Sequence, residues 1–161
     1  MKMFERAMEL KKTTEQYYRN LSNRCVDFAG VHNILNMLAN DEMKHFNLFH
    51  GMKNNADITI NDEDFLNKIQ TEISSLKEKE KSFSCFIDQI ELYKEALDLE
   101  KKHLNFYKEL LQNKPAYKKI LNKIIEDENS HINTLSNLIE LIIHPESWVE
   151  QAEFNTNEEE Y

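Results

Sequence analysis

Apolar residues recur along most of this chain at helical spacing. Phe4, Ala7, Leu10, Tyr17, Tyr18, Leu21 and Cys25 put one stripe on a first segment, predicted helical over about 3–28 and ended by Gly30. Ile34, Leu35, Leu38, Phe46, Phe49 and Met52 mark a second helix over about 31–52, closed by Gly51 and Asn54-Asn55. A polar linker over 53–61 precedes a shorter helix, about 63–79, capped by Asn61 or Asp62 and carrying Phe65, Leu66, Ile69, Ile73 and Leu76 on one face. An irregular stretch at Ser82-Phe83-Ser84 leads to Asp88-Gln-Ile-Glu91, which has the spacing of a capping box and predicts a third long helix from about Gln89 to Gln112. Pro115 suits the first turn of a fourth, which runs to Ile143 before Pro145. The polar tail holds Trp148, Val149 and Phe154; it is expected to lie along the rest and to fray after Thr156.

The helices repeat in pairs. A shift of 89 places Ala7 on Ala96, Leu10 on Leu99, Tyr18 on Tyr107 and Leu21 on Leu110. A shift of 86 places Ile34 on Ile120, Leu35 on Leu121, Asp41 on Asp127, Glu42 on Glu128 and His45 on His131. Two such pairs predict an all-α, pseudo-twofold four-helix bundle over residues 1–145, with a tail over 146–161. A long crossover containing the short helix lies between helices two and three. Two glycines and two prolines among 161 residues agree with an all-α reading.

The net charge of −9 argues against a nucleic-acid surface or a polybasic membrane patch. No apolar run is long enough to span a bilayer, and the charged start Met1-Lys2-Met3-Phe4-Glu5-Arg6 is not a signal peptide. Cys25 and Cys85 form no C-x-x-C pair, so they read as small buried hydrophobes in a reducing compartment, with cytoplasmic location as the default.

Chemistry concentrates in Glu42-Met-Lys-His45 and Glu128-Asn-Ser-His131. Each sets a carboxylate and an imidazole on one helix face, a turn apart. Near the axis of a symmetric bundle the four converge, and Glu100, on the inward stripe of Tyr93, Leu97, Leu104 and Tyr107, joins them. Glu42, His45, Glu100, Glu128 and His131 thus offer oxygen and nitrogen donors suited to iron or manganese, with zinc as an alternative. A metal-free polar layer is the competing reading. The repeat places Lys11 opposite Glu100, either as an internal cation or reaching for solvent by its stem. Three glutamates and one Lys⁺ leave a charge of −2, which matches one divalent ion. The half-site of Glu100, Glu128 and His131, bridged by Glu42, is therefore expected to bind more tightly than the one near Lys11 and His45. His103, three residues after Glu100, either reaches the intact half-site or faces outward beside Lys102. His32, His50 and His144 are expected on the surface, and Tyr18 and Tyr107 in the core, their hydroxyls on a glutamate of the layer.

Lys11-Lys-Thr-Thr-Glu-Gln-Tyr-Tyr18 with Asp41-Glu-Met-Lys-His45, then Glu100-Lys-Lys-His-Leu-Asn-Phe-Tyr107 with Asp127-Glu-Asn-Ser-His131, resemble the ferritin-like superfamily, and within it the rubrerythrins. The resemblance covers about residues 3–143. It implies a non-haem, di-iron carboxylate oxidoreductase that reduces hydrogen peroxide, with Glu42, His45, Glu100, Glu128 and His131 at ligand positions. His103 stands where rubrerythrins often carry an extra glutamate, and Lys11 replaces a ligand glutamate. The cysteines of a rubredoxin domain are missing from this sequence, so an external electron donor such as rubredoxin is expected. The oxidant is hydrogen peroxide or dioxygen, the cofactor one or two iron ions, and the assembly a homodimer. Lys11 keeps a second reading open: a ferritin-like binding or scaffold protein with a mononuclear or metal-free site. A third, iron storage, requires a cage.

Overall fold

The computed structural model describes residues 2–60, 65–76, 85 and 88–144. Its helices are α1 (Lys2–Arg24), α2 (Ala29–Lys53), α3 (Phe65–Leu76), α4 (Ile90–Asn113) and α5 (Lys118–Ile143), and no strand occurs among the described residues. Helix α1 packs along α2, α4 along α5, and α3 lies on α2.

The core divides into two apolar clusters. One gathers Tyr18, Leu21, Leu35, Leu38, Ala39, Ala96 and Leu135, and the other Phe4, Ala7, Phe49, Tyr107, Leu121 and Ile124. Read in chain order, α1 and α5 pass from the second cluster to the first, while α2 and α4 pass from the first to the second. The partners in each hairpin are therefore antiparallel, and the repeat-related α1 and α4 are antiparallel too. The predicted four-helix bundle forms, with α3 in the long crossover that carries the chain back along it. Each fully buried leucine, such as Leu38 or Leu121, contributes roughly 1.5–3 kcal/mol. Every long helix carries buried polar residues between the clusters: Lys11, Glu42 with His45, Glu100, and Glu128 with His131.

Several local expectations are corrected. Gly30 does not end the first helix; α1 stops at Arg24, and Gly30 lies in the first turn of α2. A Cβ there would stand 2.5 Å from Leu76 Cδ2, so the missing side chain lets the end of α3 approach. The capping box does not form: the N-cap of α4 is Gln89, with no side-chain cap bond, and Asp88 is exposed one position early. Pro115 opens a 3₁₀ turn, Pro115–Tyr117, rather than the α-helix itself. The Tyr117 hydroxyl donates to Met52 O at 3.2 Å and fastens this turn to the end of α2. His32 is half-buried, its Nδ1 2.7 Å from Ser22 Oγ and 3.0 Å from Ser22 O, where it clips α2 to α1; His50 and His144 are exposed as expected.

Cys25 and Cys85 are buried, but not as separate thiols. They form a disulfide across 60 residues, with Cα atoms 6.0 Å apart. The expected caps at Asn61 or Asp62, the Ser82–Ser84 stretch, the 145/146 boundary and the tail with Trp148, Val149 and Phe154 lie outside the described residues.

Candidate metal centre

Each long helix delivers its polar residues to the layer because their neighbours a turn away are apolar and commit that face to the core. Lys11 does not reach for solvent. It is 0% exposed, with Nζ 2.9 Å from Glu42 Oε2 and 2.7 Å from Glu128 Oε2, and 4.7 Å from the centre of the Tyr107 ring. Burial pushes the ammonium toward the neutral form, but the carboxylates of Glu128 and Glu42 outweigh it and hold the Lys11 pKa well above its usual value. Burial likewise raises Glu42, yet Lys11 and His131 together hold its carboxyl well below the usual range.

The other side of the layer is built on His131. Its Nδ1 lies 3.0 Å from Glu42 Oε1 and 3.3 Å from Glu100 Oε2, and its Nε2 lies 2.6 Å from Asp41 Oδ2. Carboxylates at both ring nitrogens suit an imidazolium donating both protons. Burial opposes the charge, but the bonds to Asp41, Glu100 and Glu42 keep the pKa well above its ordinary value. Glu100 moves in the opposite sense to Glu42. Burial, then the negative charges of Glu128 and Glu42, push its carboxyl well above the usual range, so the protonated form is favoured.

The potential ligand atoms of Glu42, Glu100, Glu128 and His131 all lie within 4.8 Å of one another. Glu100 Oε1 and Glu128 Oε1 are buried without a hydrogen-bond partner. Orphaned carboxylate oxygens in a fully buried layer are costly, and a divalent cation would satisfy them. Three carboxylates and an imidazole fit one ion of the iron, manganese or zinc type.

His45 stands apart from this group. Its Nε2 bonds Asp127 Oδ2 at 2.9 Å and lies 3.7 Å from Asp41 Oδ2, while its Nδ1 has no partner. Asp127 also takes an ion pair from Lys123 at 3.0 Å. The two aspartates therefore act crosswise: Asp41 holds the imidazole of the other hairpin, His131, and Asp127 holds His45. Burial raises the Asp41 carboxyl, but the His131 bond and the charges of His45 and His131 bring it down to about 2. Asp41 and Asp127 were not among the site residues read from the sequence. The signal was present, since an aspartate precedes the glutamate in both halves of the repeat.

His103 faces inward without joining the carboxylates. It is buried, with Nδ1 3.3 Å from Thr14 Oγ1, its own counterpart under the shift of 89. Burial lowers its pKa and favours neutral imidazole. Tyr18 and Tyr107 are in the core as expected, but their hydroxyls have no hydrogen-bond partner and do not bond a glutamate. Over the layer, the half-buried Phe65 of α3 sets its ring centre 5.1 Å from that of His131.

Paired antiparallel hairpins, a long crossover and a carboxylate–imidazole layer between two core halves define a ferritin-like helical bundle. The family model described as Rubrerythrin matches residues 2–139, and the chain belongs to the rubrerythrin family. Neither the curated proteins nor the solved structures gave a match. Among the described residues, no helix is long and apolar enough to cross a membrane.

One prediction concerns the aspartate that orients His131. Asp41→Asn should weaken metal binding by about 10–100-fold, because it removes the charge that fixes and polarises the imidazole. Competition against a chelator would measure this, and an affinity equal to wild type would mean that Asp41 plays no part in the site.

Proposed function

We propose that this protein is a rubrerythrin-like, non-haem iron oxidoreductase that handles peroxide, with a single ion held by Glu42, Glu100, Glu128 and His131. The observation that carries this reading is the Lys11 ammonium, which sits between Glu42 and Glu128 and supplies the positive charge a second ion would bring. Iron bound here would supply a Lewis acid and a one-electron redox couple.

The chain's own residues do the rest. Glu42, Glu100 and Glu128 provide anionic oxygens, and His131 gives up its Nδ1 proton to expose a lone pair. Asp41 keeps the Nε2 proton in place, and Lys11 is a buried donor toward negative charge developing on oxygen. Reduction of peroxide to two waters consumes two electrons and two protons. With one ion the electrons arrive singly, from an external donor such as rubredoxin. We place the protein in the cytoplasm, where a Cys25–Cys85 bond would be of the transient, redox-responsive kind, and as a homodimer.

Two measurements test this reading. Protein loaded anaerobically with Fe(II) should be oxidised by hydrogen peroxide much faster than by dioxygen; equal or negligible rates would sink the peroxide reading. Lys11→Glu should raise the metal content from one ion per chain to two. An unchanged stoichiometry would mean that the Lys11 position is not a metal position.

The same lysine favours a second reading. With its charge already inside, the layer can persist without metal, and the protein would then be a ferritin-like scaffold. Metal content near zero after growth in iron- and manganese-supplemented medium would select it.

A further inference from the structure

The chain has two cysteines, and the fold brings them together across 60 residues. Their positions are specific. Cys25 begins the turn between α1 and α2, and Cys85 lies at the far end of the crossover, before α4. Between α2 and this bond the crossover carries α3, which touches the candidate metal centre at one end and the bundle end at the other. Phe65 opens α3 against the His131 ring, Ile69 is fully buried, and Leu76 closes it against Gly30. Among the described residues, Phe65, Ile69, Ile73 and Leu76 seat α3 on the bundle, and one covalent bond joins the far end of the crossover to the α1–α2 turn. Only the bond can be made and broken chemically.

We propose that Cys25 and Cys85 are a redox site for peroxide, a reversible dithiol–disulfide couple whose closure locks α3 over the carboxylate layer. Cys85 is 7% exposed and Cys25 not at all, so Cys85 is the sulfur that meets the oxidant. Its thiolate attacks one peroxide oxygen, the O–O bond breaks, and Cys85 becomes a sulfenic acid as hydroxide leaves and is protonated to water. The Cys25 thiol then attacks the Cys85 sulfur; the S–S bond forms, and the sulfenic oxygen leaves as a second water. Two thiols and one peroxide give one disulfide and two waters. A small dithiol reverses it by exchange.

The mechanical consequence follows from loop closure. With thiols, α3 opens against its non-covalent contacts; with the disulfide, the end of the crossover is also tethered to the α1–α2 turn, and such opening is rarer. The redox couple does not depend on the metal reading, whereas its effect on ion entry rests on it.

The test uses the full, metal-free chain in both redox forms. Anaerobic hydrogen peroxide should remove both thiols at one peroxide per chain, leaving a monomeric covalent mass. Amide exchange across Phe65–Leu76 should slow by about tenfold in the oxidised form. Uptake of Mn(II), a poor thiol ligand read by the loss of its free-ion resonance signal, should slow by about the same factor. Cys85→Ser should show the fast rates with or without peroxide, as should Cys25→Ser. Thiols that survive excess peroxide, sulfurs that pair between chains, or α3 exchange equal in the two forms would each overturn the proposal. If Mn(II) binds neither form while exchange still responds, the metal reading fails and the latch stands.

Discussion

Lys11→Met should destabilise the metal-free protein by about 3–5 kcal/mol, the range for removing one partner of a buried ion pair. Methionine fills a similar volume and keeps the apolar stem, so the loss reports charge rather than a cavity. Without the ammonium, Glu42 and Glu128 face each other in a layer where both are 0% exposed. The pH dependence has a definite sign. Lys11 is a main cause of the lowered Glu42 pKa. A lowered carboxyl stabilises the fold above its unfolded pKa, and that contribution is lost as pH falls through its folded one. The gap between wild type and Lys11→Met should therefore be full at neutral pH and narrow in acid, as the stranded carboxyls protonate. Urea denaturation from pH 7 downward measures it. A loss below about 1 kcal/mol at pH 7 would show that Lys11 carries no more than a surface ion pair does.

Metal affinity should rise steeply with pH, by up to about a hundredfold per unit while the site holds two displaceable protons. His131 donates Nδ1–H to Glu42, and a metal needs that nitrogen bare. Glu100 is pushed toward its protonated form by burial and by its carboxylate neighbours, and a metal needs its anion. Both pKa values are raised, so both protons must leave as an ion enters, and the dependence levels off once both groups have titrated alone. Calorimetry in buffers of different ionisation enthalpy would count them. No proton released on binding would mean that neither His131 nor Glu100 is a ligand.

The sequence carried the architecture because its information is periodic. Apolar spacing located the helices, and the repeat aligned Lys11 with Glu100 before any contact was known. That alignment is why a buried lysine could be anticipated at all. What escaped was the pairing of groups with no local pattern between them. Cys25 and Cys85 are joined only because the crossover returns Cys85 to the α1–α2 turn, and nothing near either cysteine encodes that path. Thr14 and His103 meet because α1 and α4 pass each other, so the distance from Glu100 alone left open whether His103 reaches the ligands or faces outward, and it does neither. The capping box at Asp88–Glu91 failed by one residue: Gln89, not Asp88, is the N-cap, and it makes no side-chain cap bond. Asp41 and Asp127 were visible in the repeat, but their role depends on which hairpin faces which histidine.

The division of the core also bears on how the chain finds its pairing. Ridged helix faces of leucine and isoleucine can slide past one another by a turn and still bury similar area. Here a slip of one hairpin by one turn, about 5.4 Å, would press Lys11 and Glu100 against Ala7, Ala96 and their apolar neighbours. A buried charge without its partner costs several kcal/mol, more than any single leucine contact returns. The polar layer thus acts as a vernier, with one alignment of the four helices in which every charge meets its counterpart, and it fixes their register even before an ion arrives.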